Sequence, residues 1–148
     1  MILLVYFSFM DYFLDSNILL RFFADDKKGV AHIECSKLIK NIKEGKIKAY
    51  TSHLVLAEVV WTLDSYYETP RESVVKVLKT IESLGGLTII DKFETYLANK
   101  IYSEKTVKFI DALIASSPKI QSRKMAVVSY DKDFDKLGVI RKEPSQIC

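Results

Sequence analysis

The chain has 148 residues, 49% of them hydrophobic, enough for one domain with a real core and too few for two comfortable ones. Its 22 basic and 19 acidic residues leave a net charge of +3 and a pI near 8.7, a mild excess that permits a polyanionic partner but is smaller than a dedicated duplex-DNA binder carries. The two cysteines, Cys35 and Cys148, are far apart with no metal-ligand spacing, which argues against a zinc ribbon, a redox pair or a disulfide framework and makes a reducing cytoplasm the expected home.

Residues 1–9 form an apolar run without the basic start of a signal peptide and too short to span a bilayer. Two readings stand: a strand-like extension packing on a sheet edge, or an upstream start ahead of a biological start at Met10. The second is preferred, because an exposed run of this kind invites aggregation and the sequence from Met10 onward already reads as a domain start. The domain is therefore expected over residues 10–148, with no membrane association.

From there short β-rich runs alternate with longer helical patterns, the signature of an α/β fold with a mostly parallel central sheet. A first strand over residues 12–15 leads into a helix over 17–23. A second helix should carry Val30, Ile33, Leu38, Ile39 and Ile42 inward and end near Gly45. A short strand over 47–50 follows, and Ser52 reads as the cap of a helix that bears Glu58. Thr69 and Glu72 form a capping-box pair, with Pro70 at the first helical position of a helix through Val74, Val75, Leu78 and Ile81.

A strand over 87–90 comes next, with Asp91 as the candidate cap of a helix over 93–104. The helix bearing Asp111 begins near Lys108, and Pro118 should kink or end it. Residues 125–129 read as the last buried strand, residues 131–135 as a short turn or helix, and Val139-Ile140 as an edge strand.

Against this outline four carboxylates stand where solvation alone would not put them. Asp15 closes the run Tyr12-Phe13-Leu14, and Asp131 follows the last strand, so both fall at C-terminal strand ends, where open parallel sheets build their ligand sites. Glu58 and Asp111 interrupt the stretches Leu54-Val55-Leu56-Ala57 and Ile110-Ala112-Leu113-Ile114. Charges among so many aliphatic side chains need compensation, and for converging carboxylates a divalent cation is the cheapest form of it. Each acid also has a structural reading. Asp15 could cap the following helix, Glu58 could share a solvated face with Thr62 and Ser65, and Asp111 could pair with Lys108. Asp133 and Asp135 suit turn or capping roles beside Asp131.

The stretches that carry these acids resemble the PIN-domain nucleases, most of all the VapC-type toxins of toxin–antitoxin pairs. Phe13-Leu14-Asp15-Ser16-Asn17-Ile18 resembles the family's opening motif, and Leu56-Ala57-Glu58-Val59-Val60-Trp61 its glutamate helix. Ile110-Asp111-Ala112-Leu113-Ile114-Ala115 resembles its second acidic helix, and Ser129-Tyr130-Asp131-Lys132-Asp133-Phe134 its closing motif. The resemblance implies a three-layer α/β/α fold and makes Asp15, Glu58, Asp111 and Asp131 the metal-binding acids. Asn17 and Ser129 become polar supports, and Asp133 a secondary contact. The chain departs from the pattern in Ser129 where a threonine is common, in Lys108-Phe109 where relatives often carry another acid, and in Pro118.

Such a cluster implies Mg2+ or Mn2+ chemistry on phosphodiesters, and the resemblance implies RNA as the substrate. Asp15 and Asp111 are expected as principal ligands, Glu58 as a ligand or as the base that orients the attacking water, and Asp131 as a direct or water-mediated ligand. The basic residues Lys132, Lys136 and Arg141 adjoin Asp131 and are the expected RNA rim, and the lysines 37, 40, 43, 46 and 48 form a second basic stretch. A cognate antitoxin and a homodimer follow from the resemblance alone. The competing reading is a non-catalytic binding module that keeps the fold. A haloacid-dehalogenase-type phosphatase fits less well because Asn17 stands where its second aspartate belongs, and a response-regulator receiver because Ile90-Asp91 is a poor phosphorylation site.

Overall fold

The computed structural model describes residues 10–24 and 29–148; the apolar segment 1–9 lies outside the described residues. Five strands form one sheet in the order β3-β2-β1-β4-β5, with every neighbouring pair parallel. They are β1 (Asp11–Leu14), β2 (Ala49–Thr51), β3 (Leu87–Ile89), β4 (Met125–Val128) and β5 (Arg141–Lys142). The expected mostly parallel sheet is thus parallel throughout, and the fold is a three-layer α/β/α sandwich.

Chain direction explains the layers. The connections from β1 to β2 and from β2 to β3 step the same way across the sheet, and right-handed crossovers place both on one face. They carry α1 (Ser16–Phe23), α2 (Val30–Lys43), α3 (His53–Ser65) and α4 (Arg71–Glu82); α1 packs on both α2 and α3, and α3 on α4. The connection from β3 to β4 steps back past β1, so α5 (Thr95–Glu104), α6 (Phe109–Ala115) and α7 (Pro118–Gln121) cover the opposite face. Among the described residues no helix is long and apolar enough to cross a membrane.

The core sits where the layers meet. All four residues of β4 are fully buried, as befits a central parallel strand covered on both faces, and Phe13, Leu14, Ile18, Leu19, Val55 and Phe134 pack around them. On α2 the buried stripe is Cys35, Leu38, Ile39 and Ile42, spaced by three and four residues. Val30 and Ile33, expected inward, are 70% and 58% exposed. Ile33 precedes Cys35 by two residues, about 200° round the helix, and cannot share its face.

Local signals set most boundaries and missed a few. Ser52 caps α3 as expected, its hydroxyl accepting from the Val55 N–H at 3.2 Å. Pro70 is itself the cap residue of α4, with no side-chain cap, so the expected Thr69–Glu72 capping box does not form. Asp91 does not cap α5, which starts at Thr95; its carboxylate instead accepts from the His53 N–H at 2.9 Å at the start of α3. Pro118 acts as expected: α6 stops at Ala115 and α7 begins on the proline. The edge strand falls two residues later than Val139-Ile140, because Val139 turns into the core and the pairing with β4 starts at Arg141.

Gly86 shows how tightly the α2 end and the sheet approach. A Cβ there would lie 2.4 Å from the Ile42 carbonyl oxygen and 2.7 Å from that of Ile47, both backbone atoms. At Gly85 the nearest atom would be an ordinary 3.6 Å away. Gly86→Ala is therefore expected to destabilise the protein by about 1–3 kcal/mol, the range for forced overpacking, and Gly85→Ala by much less. Urea unfolding of the two variants checks the contrast.

Candidate active site

The sheet order reverses between β1 and β4, since β1 leads to β2 on one side and β4 lies on the other. Ligand sites of open parallel sheets form at this switch point, beyond the carboxyl ends of the strands. Leu14 pairs with Val128, and the Asp15 N–H donates to the Val128 carbonyl at 3.1 Å. Asp15 and Ser129 therefore leave the sheet side by side.

Asp15 does two things at once. As the cap of α1 its Oδ1 accepts from the Ser16 N–H at 2.8 Å. Its Oδ2 accepts from the Ser129 hydroxyl at 2.7 Å and from the Asn17 side-chain amide at 3.0 Å. Ser129 Oγ also accepts from Asn17 Nδ2 at 2.8 Å and from the Asp131 N–H at 3.0 Å. Asn17 Oδ1 in turn accepts from the Tyr130 N–H at 3.1 Å. The two predicted polar supports thus bind the opening and closing motifs into one network, and the capping reading of Asp15 holds alongside its place in the cluster.

The opposite wall comes from the helices. Asp111 enters from the first turn of α6 and is 4% exposed, with its Oδ2 buried and without a hydrogen-bond partner among the described residues. Asp131 caps a 3-10 helix over Lys132–Lys136, its Oδ1 accepting from the Asp133 N–H at 2.9 Å. Carboxylate oxygens of Asp111, Asp131 and Asp133 lie within 4.8 Å of one another. Oxygens bound to a common Mg2+ at about 2.0–2.1 Å sit up to about 4.2 Å apart, and those on a common Ca2+ at about 2.3–2.6 Å up to about 5 Å. The donor set therefore suits a hard divalent cation, and the orphaned Asp111 oxygen supplies a ligand that no protein donor claims. Asp133, expected as a minor contact, belongs to this tight group, whereas Asp15 and Glu58 lie outside it. Half-buried Glu58 on α3 completes the ring electrostatically.

Burial and mutual repulsion act together on these acids. Desolvation pushes the Asp15 carboxyl up to about 6, against the pull of its bonds to Ser129 and Ser16, with Glu58 and Asp131 adding to the rise. Desolvation, then the charges of Asp15 and Asp131, pushes Asp111 up to about 7, with Lys108 opposing. Such raised carboxyls gathered in one cleft mark a functional centre better than any single motif does.

The rim differs from expectation. Arg141 is not free for RNA: its side chain is 12% exposed, and its guanidinium donates to Asp135 Oδ1 at 2.9 Å and to the Ser129 carbonyl at 3.0 Å. Lys136 is paired with Asp133 at 2.8 Å. Lys132 alone of the three is exposed without an ion pair among the described residues. A supporting group that sequence reading missed is Tyr130, whose hydroxyl donates to Glu34 on α2 at 2.9 Å while the Arg21 guanidinium lies 5.1 Å from its ring centre. Its position between Ser129 and Asp131 was the available signal.

Raised carboxyls tie stability to pH. Without metal, the folded chain binds more protons than the unfolded chain between the ordinary carboxylate value near 3.8 and the folded values near 6 and 7. Their favourable contribution is therefore complete below about pH 4 and lost as pH rises through those values. Metal-free protein is expected to melt on the order of 5 °C lower at pH 8 than at pH 5, and Asp111→Asn to flatten that slope. Thermal melts in EDTA test this; a melting temperature that rises over the interval contradicts it.

Comparison with known proteins agrees with this architecture. The sequence model of the PIN domain matches residues 12–140. A VapC ribonuclease of Aquifex aeolicus (strain VF5) is 28% identical over 128 residues, covering 84% of this chain and 90% of that protein. Two solved structures share the fold. One is VapBC2 of Rickettsia felis bound to a DNA fragment from its promoter, with TM-score 0.60, 21% identity, and coverage of 90% of this chain and 98% of that one. The other is VapC20 of Mycobacterium tuberculosis, described as a sarcin-ricin loop cleaving toxin, with TM-score 0.62, 15% identity, and coverage of 87% and 96%. Since the match runs from the strand before Asp15 to the turn beyond Asp131 and so takes in every clustered acid, the chain belongs to the PIN-domain family.

Proposed function

We propose that this protein is an endoribonuclease dependent on Mg2+ or Mn2+, and the toxin of a toxin–antitoxin pair acting in the cytoplasm. The observation that carries the chemistry is Asp111, which has a buried oxygen without a hydrogen-bond partner among the described residues and stands in one close group with Asp131 and Asp133. The ribonuclease name of the Aquifex aeolicus relative supports the reaction class.

Asp111, Asp131 and Asp133 would hold the metal, with Asp15 and Glu58 beside them completing the acidic ring. When bound, a divalent ion supplies Lewis-acid charge against a phosphodiester and makes a water acidic enough to attack. The protein's own part is positioning. Ser129 and Asn17 donate to Asp15 and so fix its carboxylate toward the centre, and the Asp131 N–H on Ser129 Oγ anchors the facing loop. Glu58, less buried than Asp15 and Asp111, is the carboxylate free to orient the attacking water and accept its proton. No side chain acts as a covalent nucleophile. Lys132 serves the RNA rim, with Lys136 restraining Asp133 and Arg141 bracing the loop from behind.

Protein partners follow from the same reading. The VapBC neighbour supports a cognate antitoxin, and a homodimer is proposed with it. A groove between α3 and α4, lined by Val60, Val74, Val75 and Leu78 together with Asp64 and Arg71, offers a largely apolar surface of the kind that protein partners cover.

Two experiments test the assignment. Purified protein should cleave a mixed structured RNA in Mg2+ or Mn2+ and not in EDTA, and Asp111→Asn should lose at least about 100-fold in rate with its circular dichroism unchanged. Absence of cleavage under every condition, together with absent metal binding by calorimetry, would leave a non-catalytic binding module. Ser129→Ala should weaken Mn2+ binding about 10- to 100-fold, because three of its hydrogen bonds orient the acids, and Ser129→Thr should restore it; calorimetric titration of both variants reads the difference.

A further inference from the structure

The turn between α5 and α6 forms one wall of an open groove of about 650 Å3, lined by Tyr102, Lys105, Thr106, Val107, Lys108 and Asp133. Asp133 also belongs to the three-carboxylate group, so the groove borders the acidic centre. Tyr102 is 55% exposed and Phe109 41%, and their rings meet edge to face with centroids 5.5 Å apart. Neither ring packs into the core. Lys105 and Lys108 form no ion pair among the described residues, and Asp133, the one carboxylate of the lining, is already neutralised by Lys136.

This combination selects a ligand. The lysines call for an anion, the ring calls for a flat apolar face, and the neighbouring acids repel any anion that arrives as a bare charge. A polynucleotide with unpaired bases meets all three demands, since bases stack on aromatic side chains while the backbone follows the cations. A duplex does not, because its bases are stacked on one another. At the rim first expected, Arg141 is held by its bonds to Asp135 and Ser129 and Lys136 by Asp133, so Lys132 alone is free there, and Lys105 and Lys108 on the α5–α6 side add two further unpaired cations among the described residues.

We propose that this groove is a single-stranded RNA subsite beside the metal centre, in which an unpaired base stacks on Tyr102 and the flanking phosphates lie along Lys105 and Lys108. The inference rests on the nuclease reading and specifies where the strand next to the scissile phosphate is held. It makes Tyr102 a determinant of substrate choice: the enzyme takes loops and tails and rejects paired stems.

The test uses the full chain and an unpaired octaribonucleotide carrying 2-aminopurine, with Ca2+ present to neutralise the acids. Wild type should quench the 2-aminopurine on binding, and a duplex of the same sequence should not be quenched. Tyr102→Ala should weaken binding about tenfold and abolish the quench, Tyr102→Phe should keep both, and Lys105→Ala should lower the slope of log affinity against log salt by about 0.7. Tyr96→Ala, on the first turn of the same helix and outside the groove, is the control expected to bind as wild type. In Mg2+ the Tyr102→Ala loss should fall on KM with kcat retained. The inference is overturned if wild type shows no quench, or if Tyr102→Ala binds and cleaves with wild-type affinity and KM; in the second case cleavage by wild type leaves the nuclease reading standing. Binding and quenching without cleavage in Mg2+ or Mn2+ would sink the nuclease reading and leave the subsite in place.

Discussion

Every part of this molecule is arranged around carboxylates that repel one another and are kept close by a core that cannot yield. Asp15 follows a strand paired on both sides, and its own N–H extends the ladder to Val128. Asp111 sits in the first turn of a short helix that goes on to bury Ala112, Ile114 and Ala115 fully. Neither acid can move outward without breaking backbone hydrogen bonds or uncovering apolar surface. The strain emerges as raised proton affinity, with Asp15 near 6 and Asp111 near 7. A site that favours protons in this way also favours a harder, doubly charged competitor, and the same burial that penalises the bare acids leaves an Asp111 oxygen open for it.

Around that centre the polar network works as a brace. Ser129 accepts from two donors and donates to Asp15, while Arg141 grips its carbonyl from the edge strand. Tyr130 reaches the other way to Glu34, so the loop after β4 is held from both sides of the cleft. Such outer contacts orient ligating groups and set how tightly a metal can be held. Arg141 illustrates the point: a basic residue next to an acidic motif reads as a phosphate contact, yet its planar fork suits Asp135 and a carbonyl equally well.

The charge distribution then divides labour between floor and rim. The floor is acidic and shielded, and the free lysines stand at the α5–α6 turn beside two exposed rings. In the proposed reading an anionic strand is drawn in at the rim and meets the acids only where their charge is balanced, so recognition and chemistry would be adjacent but separate. The apolar groove between α3 and α4 is a different surface, formed by α3 and α4 on the face that carries α1–α4.

What was legible in the sequence was whatever depends on near neighbours. Alternating strand and helix patterns announced the parallel sheet, the Ser52 cap and the break at Pro118 are local chemistry, and each acid stood out against its own aliphatic stretch. The family's motifs could be matched for the same reason. Tertiary structure decided what depends on distant partners. The inward face of α2 turned on which stripe met the sheet, leaving Val30 and Ile33 in solvent, and Asp91 accepts the His53 N–H at the start of α3 because the fold brought the two together. Asp133 joined the tight acidic group and Arg141 left the rim through contacts with residues from other elements and turns. The groove at Tyr102 exists only because the α5–α6 turn is folded against Asp133. Periodicity and capping act over a turn or two of chain, whereas hydrogen-bond partners, burial and field add up over everything the fold brings within reach, and no window of sequence contains that sum.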